Sequence, residues 1–233
     1  MNRITAFFFI AFLVFFGNCK TDDGYLMFEK QVMKQIFPSL IKTVCVDTRI
    51  YHNPPPLHEL KGLYEFDKQE GYKVDWSKLT EEQKNKWMVW EDEIQRIKKD
   101  TTPVIIAFDP LLKPSEENLG KELKEHYKNV HPIIPNKKDS YIFDYQHIKL
   151  KRPFKIRDLG EFPPSNKIWD TSYDFVFSGI VYFSRIQFDQ SKNFGVLEAG
   201  FTCGGRCGRG YYIFIKKVNM EWKIDTVKDT WIS

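Results

Sequence analysis

From residue 175 to residue 227 the chain reads as a nearly unbroken series of strands, and this most limits what it can fold into. Residues 175–188, 194–202, 211–218 and 222–227 are dense in aromatic and β-branched side chains. The breaks between them are short: a polar turn at 190–193, a glycine-rich loop at 203–210 and a tight turn at Asn219. Breaks of that length join antiparallel neighbours, because a parallel return needs a crossover of a dozen or more residues. Residues 175–188 are long enough for one bent strand or two, and Gly179 marks the bend. Helical patterns fall mostly before residue 130. This segregation predicts an α+β fold, with N-terminal helices packed on one face of a C-terminal antiparallel β-meander. No internal repeat or linker divides residues 25–233, which are expected to form a single domain.

In the helical half, Leu26, Phe28, Val32, Met33, Ile36, Phe37, Leu40 and Ile41 form one apolar face over residues 25–44. Pro38 is expected to kink or split that helix. Cys45 follows in a β-branched run and reads as a buried small hydrophobe. Thr80-Glu81-Glu82-Gln83 is a capping box that opens a helix over 81–99. Trp87, Trp90, Ile94 and Ile97 would be its buried stripe, with Arg96, Lys98 and Lys99 at the end that the macrodipole favours for cations. Residues 104–108 form a short apolar run, predicted as a buried strand ended by a turn at Asp109-Pro110. A short helix is predicted over 115–127. Residues 51–79 carry no clear period, and Pro54-Pro55-Pro56 holds the backbone extended there. Residues 151–164 read as loop with one short strand at 154–156. Trp231 and Ile232 are expected to tuck back on the sheet.

The first residues are read as targeting. Arg3 is followed by an apolar run over 4–17, the length of a signal-peptide core and too short to span a bilayer comfortably. It ends in Phe16-Gly17-Asn18-Cys19, which resembles a bacterial lipobox although Asn18 departs from the usual small residue. The resemblance implies a lipoprotein signal peptide over 1–18 and lipidation of Cys19 by acyl chains, palmitate among them. At about 0.8 kcal/mol per buried methylene, several chains anchor firmly, so the membrane is a partner through the lipid alone. Residues 19–24 form a polar tether. Within it Lys20-Thr21-Asp22-Asp23 resembles the export tag of surface lipoproteins in some Gram-negative bacteria. The expected location is therefore the cell envelope, at the outer membrane of a Gram-negative bacterium. Loss of 1–18 removes only Arg3, taking the net charge from +4 to +3. Charges are interspersed, with no basic run to hold nucleic acid.

Outside the cytoplasm, nearby cysteines oxidise. Cys203-Gly204-Gly205-Arg206-Cys207-Gly208-Arg209-Gly210-Tyr211-Tyr212 is the least ordinary local chemistry in the chain. Three readings of its cysteines are open. A disulfide between Cys203 and Cys207 would clip a hairpin tip, with Gly204 and Gly205 free to turn. A redox pair usually has C-x-x-C at a helix start, whereas this is C-x-x-x-C between strands. A metal clip would need two more ligands, and none lies nearby in sequence. Arg206, Arg209, Tyr211 and Tyr212 are candidate binding residues, with the arginines beside free backbone N–H groups suited to an anion. His52 and His58, or His126 and His131, lack dependable metal-ligand spacing. No metal or cofactor is expected. Ser184 lacks the frame of a nucleophile elbow. Asp170, Asp174, Asp189, Glu198 and Asp225 show no diagnostic spacing.

Ser184-Arg185-Ile186-x-Phe188, the cysteine loop, Lys217, Trp222-Lys223-Ile224 and Trp231-Ile232-Ser233 together resemble a C-terminal pattern recurrent in bacterial lipoproteins and exported proteins. The likeness covers about fifty residues. It implies a module and a compartment, and no activity. The leading expectation is a non-catalytic envelope protein presenting its clipped loop to an envelope polymer, a protein partner or a small anion. The alternative is an extracytoplasmic enzyme, either a hydrolase or a thiol oxidoreductase.

Overall fold

The computed structural model describes residues 21–60, 63–67, 71–133, 140–164 and 166–233. The leader, Cys19 and Lys20 lie outside the described residues. Helix α1 (Thr21–Val44) begins within the expected tether and runs on through Pro38 as one helix. Pro38 does not split it. Phe37, Leu40 and Ile41 around the proline are all buried to within 1 %, and their burial on the sheet offsets the backbone bond that proline cannot make.

After α1 come two short helices, α2 (Thr48–Tyr51) and α3 (Leu57–Leu60), and a hairpin of β1 (Tyr64–Asp67) and β2 (Gly71–Val74). This is the stretch that shows no period in sequence. Its apolar residues are few, and they close on helix α4 (Glu81–Lys99) through Leu60, Leu79 and Trp87. The α4 capping box is present as its sequence predicts. Trp87 and Ile94 are buried, while Trp90 and Ile97 are half-buried. The Trp90 indole N–H donates to Asn53 O at 2.9 Å. Arg49 bridges Asp47 and Asp100, each at 2.7 Å, which ties α2 to the end of α4.

Strand β3 (Val104–Phe108) is buried along its whole length. β4 (Leu111–Leu112) follows, then helix α5 (Leu119–His126), β5 (Tyr141–Ile142) and β6 (Phe154–Asp158). α5 starts four residues later than the sequence suggests, because the Asn118 side chain accepts from Lys121 N as its cap while the Ser115 hydroxyl accepts from Glu117 N ahead of it. The main strands are β7 (Val176–Phe183), β8 (Gln187–Phe188), β9 (Phe194–Gly204), β10 (Cys207–Val218) and β11 (Glu221–Ile232). They form a sheet ordered β11-β10-β9-β7-β3-β6, with β8 alongside β9.

The α+β class and the C-terminal antiparallel meander hold. The sheet as a whole is mixed, however, since β3 runs parallel to both β6 and β7. A wholly apolar run is the mark of a strand covered on both faces, and long crossovers let it enter the sheet between β6 and β7. The helices also lie on both faces rather than one. α1 packs its stripe on Phe108, Phe183, Leu197, Phe201 and Ile213. α5 sets Leu119 and Leu123 on Val196 and Phe214, which neighbour Leu197 and Ile213 and therefore point to the other face. Trp231 and Ile232 are the paired end of β11, and the Trp231 ring lies back on the sheet over Gly208 and Gly210 as expected. At Gly179 the register shifts as its sequence suggests. The bulge turns Ser178 to donate to Val46 O and accept from Thr48 N. Among the described residues, no helix is long and apolar enough to cross a membrane.

Candidate functional site

The glycine-rich loop is a hairpin tip between β9 and β10. Cys203 and Cys207 form a disulfide with Cα atoms 5.0 Å apart. Cys207 pairs with Gly204 and Gly208 with Thr202, so Cys203 is the extra residue of a bulge. Among the described residues Cys45 is the free thiol, and its burial pushes its pKa up. A five-residue clip restrains the unfolded chain by about 2 kcal/mol. Cys203→Ser with Cys207→Ser is therefore expected to lower unfolding free energy by about that amount and leave the fold intact. Alkylation of the native protein without reductant should spare both cysteines, and labelling of either would contradict the clip.

Of the four candidate binding residues beside the clip, Arg209 and Tyr211 come together and the other two do not join them. Arg206 is exposed in the turn. Arg209 is exposed further along the hairpin, over the Tyr51 ring at 5.9 Å. Tyr211 is buried in the main core, where burial raises its pKa. Tyr212 points to the other face and packs beside α5, with Lys228 over its ring at 5.8 Å. The alternation of side chains along a strand separates the two tyrosines, and it puts Arg209 on the face of Tyr211, where the two meet beside Tyr51.

The crevice beside the clip, which Arg209 and Tyr211 line, is about 10 Å³, and two larger cavities lie around residues 114–117. A cleft of about 610 Å³ is bounded by this segment, the start of α5, Pro132 and Arg185-Ile186-Gln187. A second cavity of about 340 Å³ lies on its other side, reaching Asp109, Lys113, Tyr182, Ser184 and Glu198. Both adjoin the break between β7 and β8, where the Ser184-Arg185-Ile186 motif sits. The break has a cause. Glu29 of α1, with no exposure, accepts from Arg185 Nε at 3.0 Å, from Arg185 Nη2 at 2.6 Å and from Ile186 N at 2.9 Å. Burial pushes the Glu29 carboxyl up, against the pull of these donors. Burial works against the Arg185 charge too, yet Glu29 holds its pKa above the ordinary value. Gln187 donates to Ile133 O, and Asp189 closes the following turn by accepting from Asn193 N and Phe194 N, each at 2.9 Å.

Ser184 is 6 % exposed. Its hydroxyl donates to Arg185 O and accepts from Glu198 N, both at 2.9 Å. That hydroxyl is committed to backbone. Glu198 instead presents its carboxylate to the second cavity, where the Ser115 hydroxyl donates to Oε2 at 2.7 Å and the Tyr182 hydroxyl to Oε1 at 3.4 Å. Burial first, and then Glu198, raises the Tyr182 pKa. The carboxylate is thus held in one orientation by two side chains, one from the 114–117 segment and one from β7. Its only signal in sequence is a charged residue inside an apolar strand pattern.

Asp225 and His126 serve packing. Asp225 accepts from Tyr127 OH at 2.9 Å, lies 3.3 Å from His126 Nε2 and pairs with Lys216 at 2.6 Å, which ties α5 to the outer strands. Burial opposes the charge on Asp225, but these partners bring its pKa below the usual value. Among the described residues, no three His, Cys, Asp or Glu side chains are grouped to hold a metal ion. Comparison with known proteins adds no family to this geometry, since no family model, curated protein or solved structure matches the chain significantly.

Proposed function

We propose that the protein is a lipid-anchored protein of the bacterial cell envelope, held at the outer membrane through Cys19, that binds an envelope polymer or protein partner. The apolar leader and the cysteine that follows it support the location. The observation that carries the binding reading is the wall of the cavity beside β7. Glu198, Ser115, Tyr182 and Ser184 are bonded to one another or to backbone, and Glu198 and Tyr182 stand on paired strands of the sheet. Such a wall offers a fixed acceptor to a ligand, and the hydroxyl of its Ser184 is not poised as a nucleophile.

The location is tested by Cys19→Ala. Wild-type protein is expected in the membrane fraction, labelled by radioactive palmitate. The variant is expected unlabelled and in the soluble fraction. Unchanged labelling and fractionation of Cys19→Ala would rule out the anchor.

A further inference from the structure

One row of the sheet crosses four strands: Tyr182 on β7 pairs with Gly200 on β9, Gly200 with Gly210 on β10, and Gly210 with Trp231 on β11. Two glycines face to face leave bare backbone on the side turned away from α1. The flanking rings fold inward over it. A methyl group at Gly200 would collide with the Tyr182 ring, and one at Gly210 or Gly208 with Trp231. The indole lies along β10, its five-membered ring against Gly210 and its six-membered ring against Gly208.

Covering glycine backbone explains the inner faces of these rings but not their outer ones. Trp231 is 37 % exposed and Tyr182 half-buried, and the oriented Glu198 carboxylate meets the Tyr182 hydroxyl at the edge of the pair. The adjoining cavity carries Asp109, Glu116, Glu117 and Glu198 against Lys113, so it repels an anionic ligand. Aromatic rings beside an oriented acceptor match the two sides of a pyranose, whose C–H face is apolar and whose rim carries hydroxyl donors. An extended peptide would use the free edge of β11 instead, and that needs no rings laid on glycine.

We propose that the Tyr182–Gly200–Gly210–Trp231 row, with Glu198 at its edge, is a subsite for a neutral or amino-bearing glycan. The proposal rests on the envelope-binding reading and specifies its ligand. Trp231 and Tyr182 stack on successive C–H faces, and Glu198 accepts from a sugar hydroxyl or ammonium group.

Full-length protein in detergent is titrated calorimetrically with chitohexaose, with the hexamer of glucosamine and with heparin. Saturable binding is expected for at least one of the first two and none for heparin. Trp231→Ala should weaken it by about tenfold or more, and Trp231→Phe, which keeps a ring, by no more than about threefold. Melting curves show that each variant is folded. No saturable binding to either hexamer, or equal affinity in Trp231→Ala, overturns the subsite while leaving membrane anchoring as it was. Sedimentation that reveals a dimer abolished by Trp231→Ala, without sugar binding, means that a second copy covers the face and also overturns it. Shortening of the hexamer during titration would refute the non-catalytic reading, whereas the Trp231 dependence of affinity would still locate the sugar.

Discussion

Replacing Glu29 by glutamine is expected to destabilise the protein by about 3–5 kcal/mol, read by urea unfolding. The carboxylate meets two Arg185 nitrogens and the Ile186 N–H, all buried. Glutamine keeps the shape but removes the charge opposite a guanidinium that is only 6 % exposed. The amide must also turn an N–H₂ group toward one of these donors. Both effects fall on the joint between α1 and the β7–β8 break, so the wall of the 610 Å³ cleft should loosen with it. Replacing the pair together, Glu29→Met with Arg185→Met, should recover a large part of the loss, because no charge then remains to be desolvated. A double variant as unstable as Glu29→Gln would show that packing, and not the buried charge, sets the cost.

Phe37→Ala should cost a similar amount, about 3–5 kcal/mol. Phe37 is 1 % exposed and lies within 5.2–6.3 Å, centroid to centroid, of Phe143, Phe108, Phe183 and Tyr145. These rings come from three segments of chain, Phe143 and Tyr145 sharing one. None can move into the space without disturbing the others, so truncation leaves a cavity. Phe37→Leu should cost much less, since most of the volume is kept. A loss below about 1 kcal/mol for Phe37→Ala would mean that the cluster can collapse.

The apolar face of α1, the capped α4, the buried run of β3 and the meander from β7 to β11 all follow from local period and turn chemistry. The disulfide is legible as one of three readings, because five residues can close on themselves wherever they lie. The strand at residues 104–108 is legible too, but not its direction. A continuous apolar run says that both faces are covered and is silent about which strands lie beside it. The hairpin of β1 and β2 leaves no such trace, because its stabilising contacts come from α3 and α4 rather than from a pattern of its own.

The candidate site is the least legible part. The cysteine loop stands out in sequence because its unusual residues are adjacent in the chain. In the fold they divide, with Arg206 in the turn, Arg209 and Tyr211 together on the α1 face and Tyr212 on the opposite one. The groups that meet around the larger cavities are far apart in the chain: Glu29 and Arg185 are separated by 156 positions, and Ser115 and Glu198 by 83. What the sequence determined by itself was whatever depends on neighbours in the chain, namely helix faces, caps, strand alternation, the tight cysteine pair and the apolar leader. Only the tertiary structure decided the mixed sheet, the buried ion pair and the row of aromatics over Gly200 and Gly210. Strand register and helix docking decide which distant side chains touch, and neither is written in local periodicity.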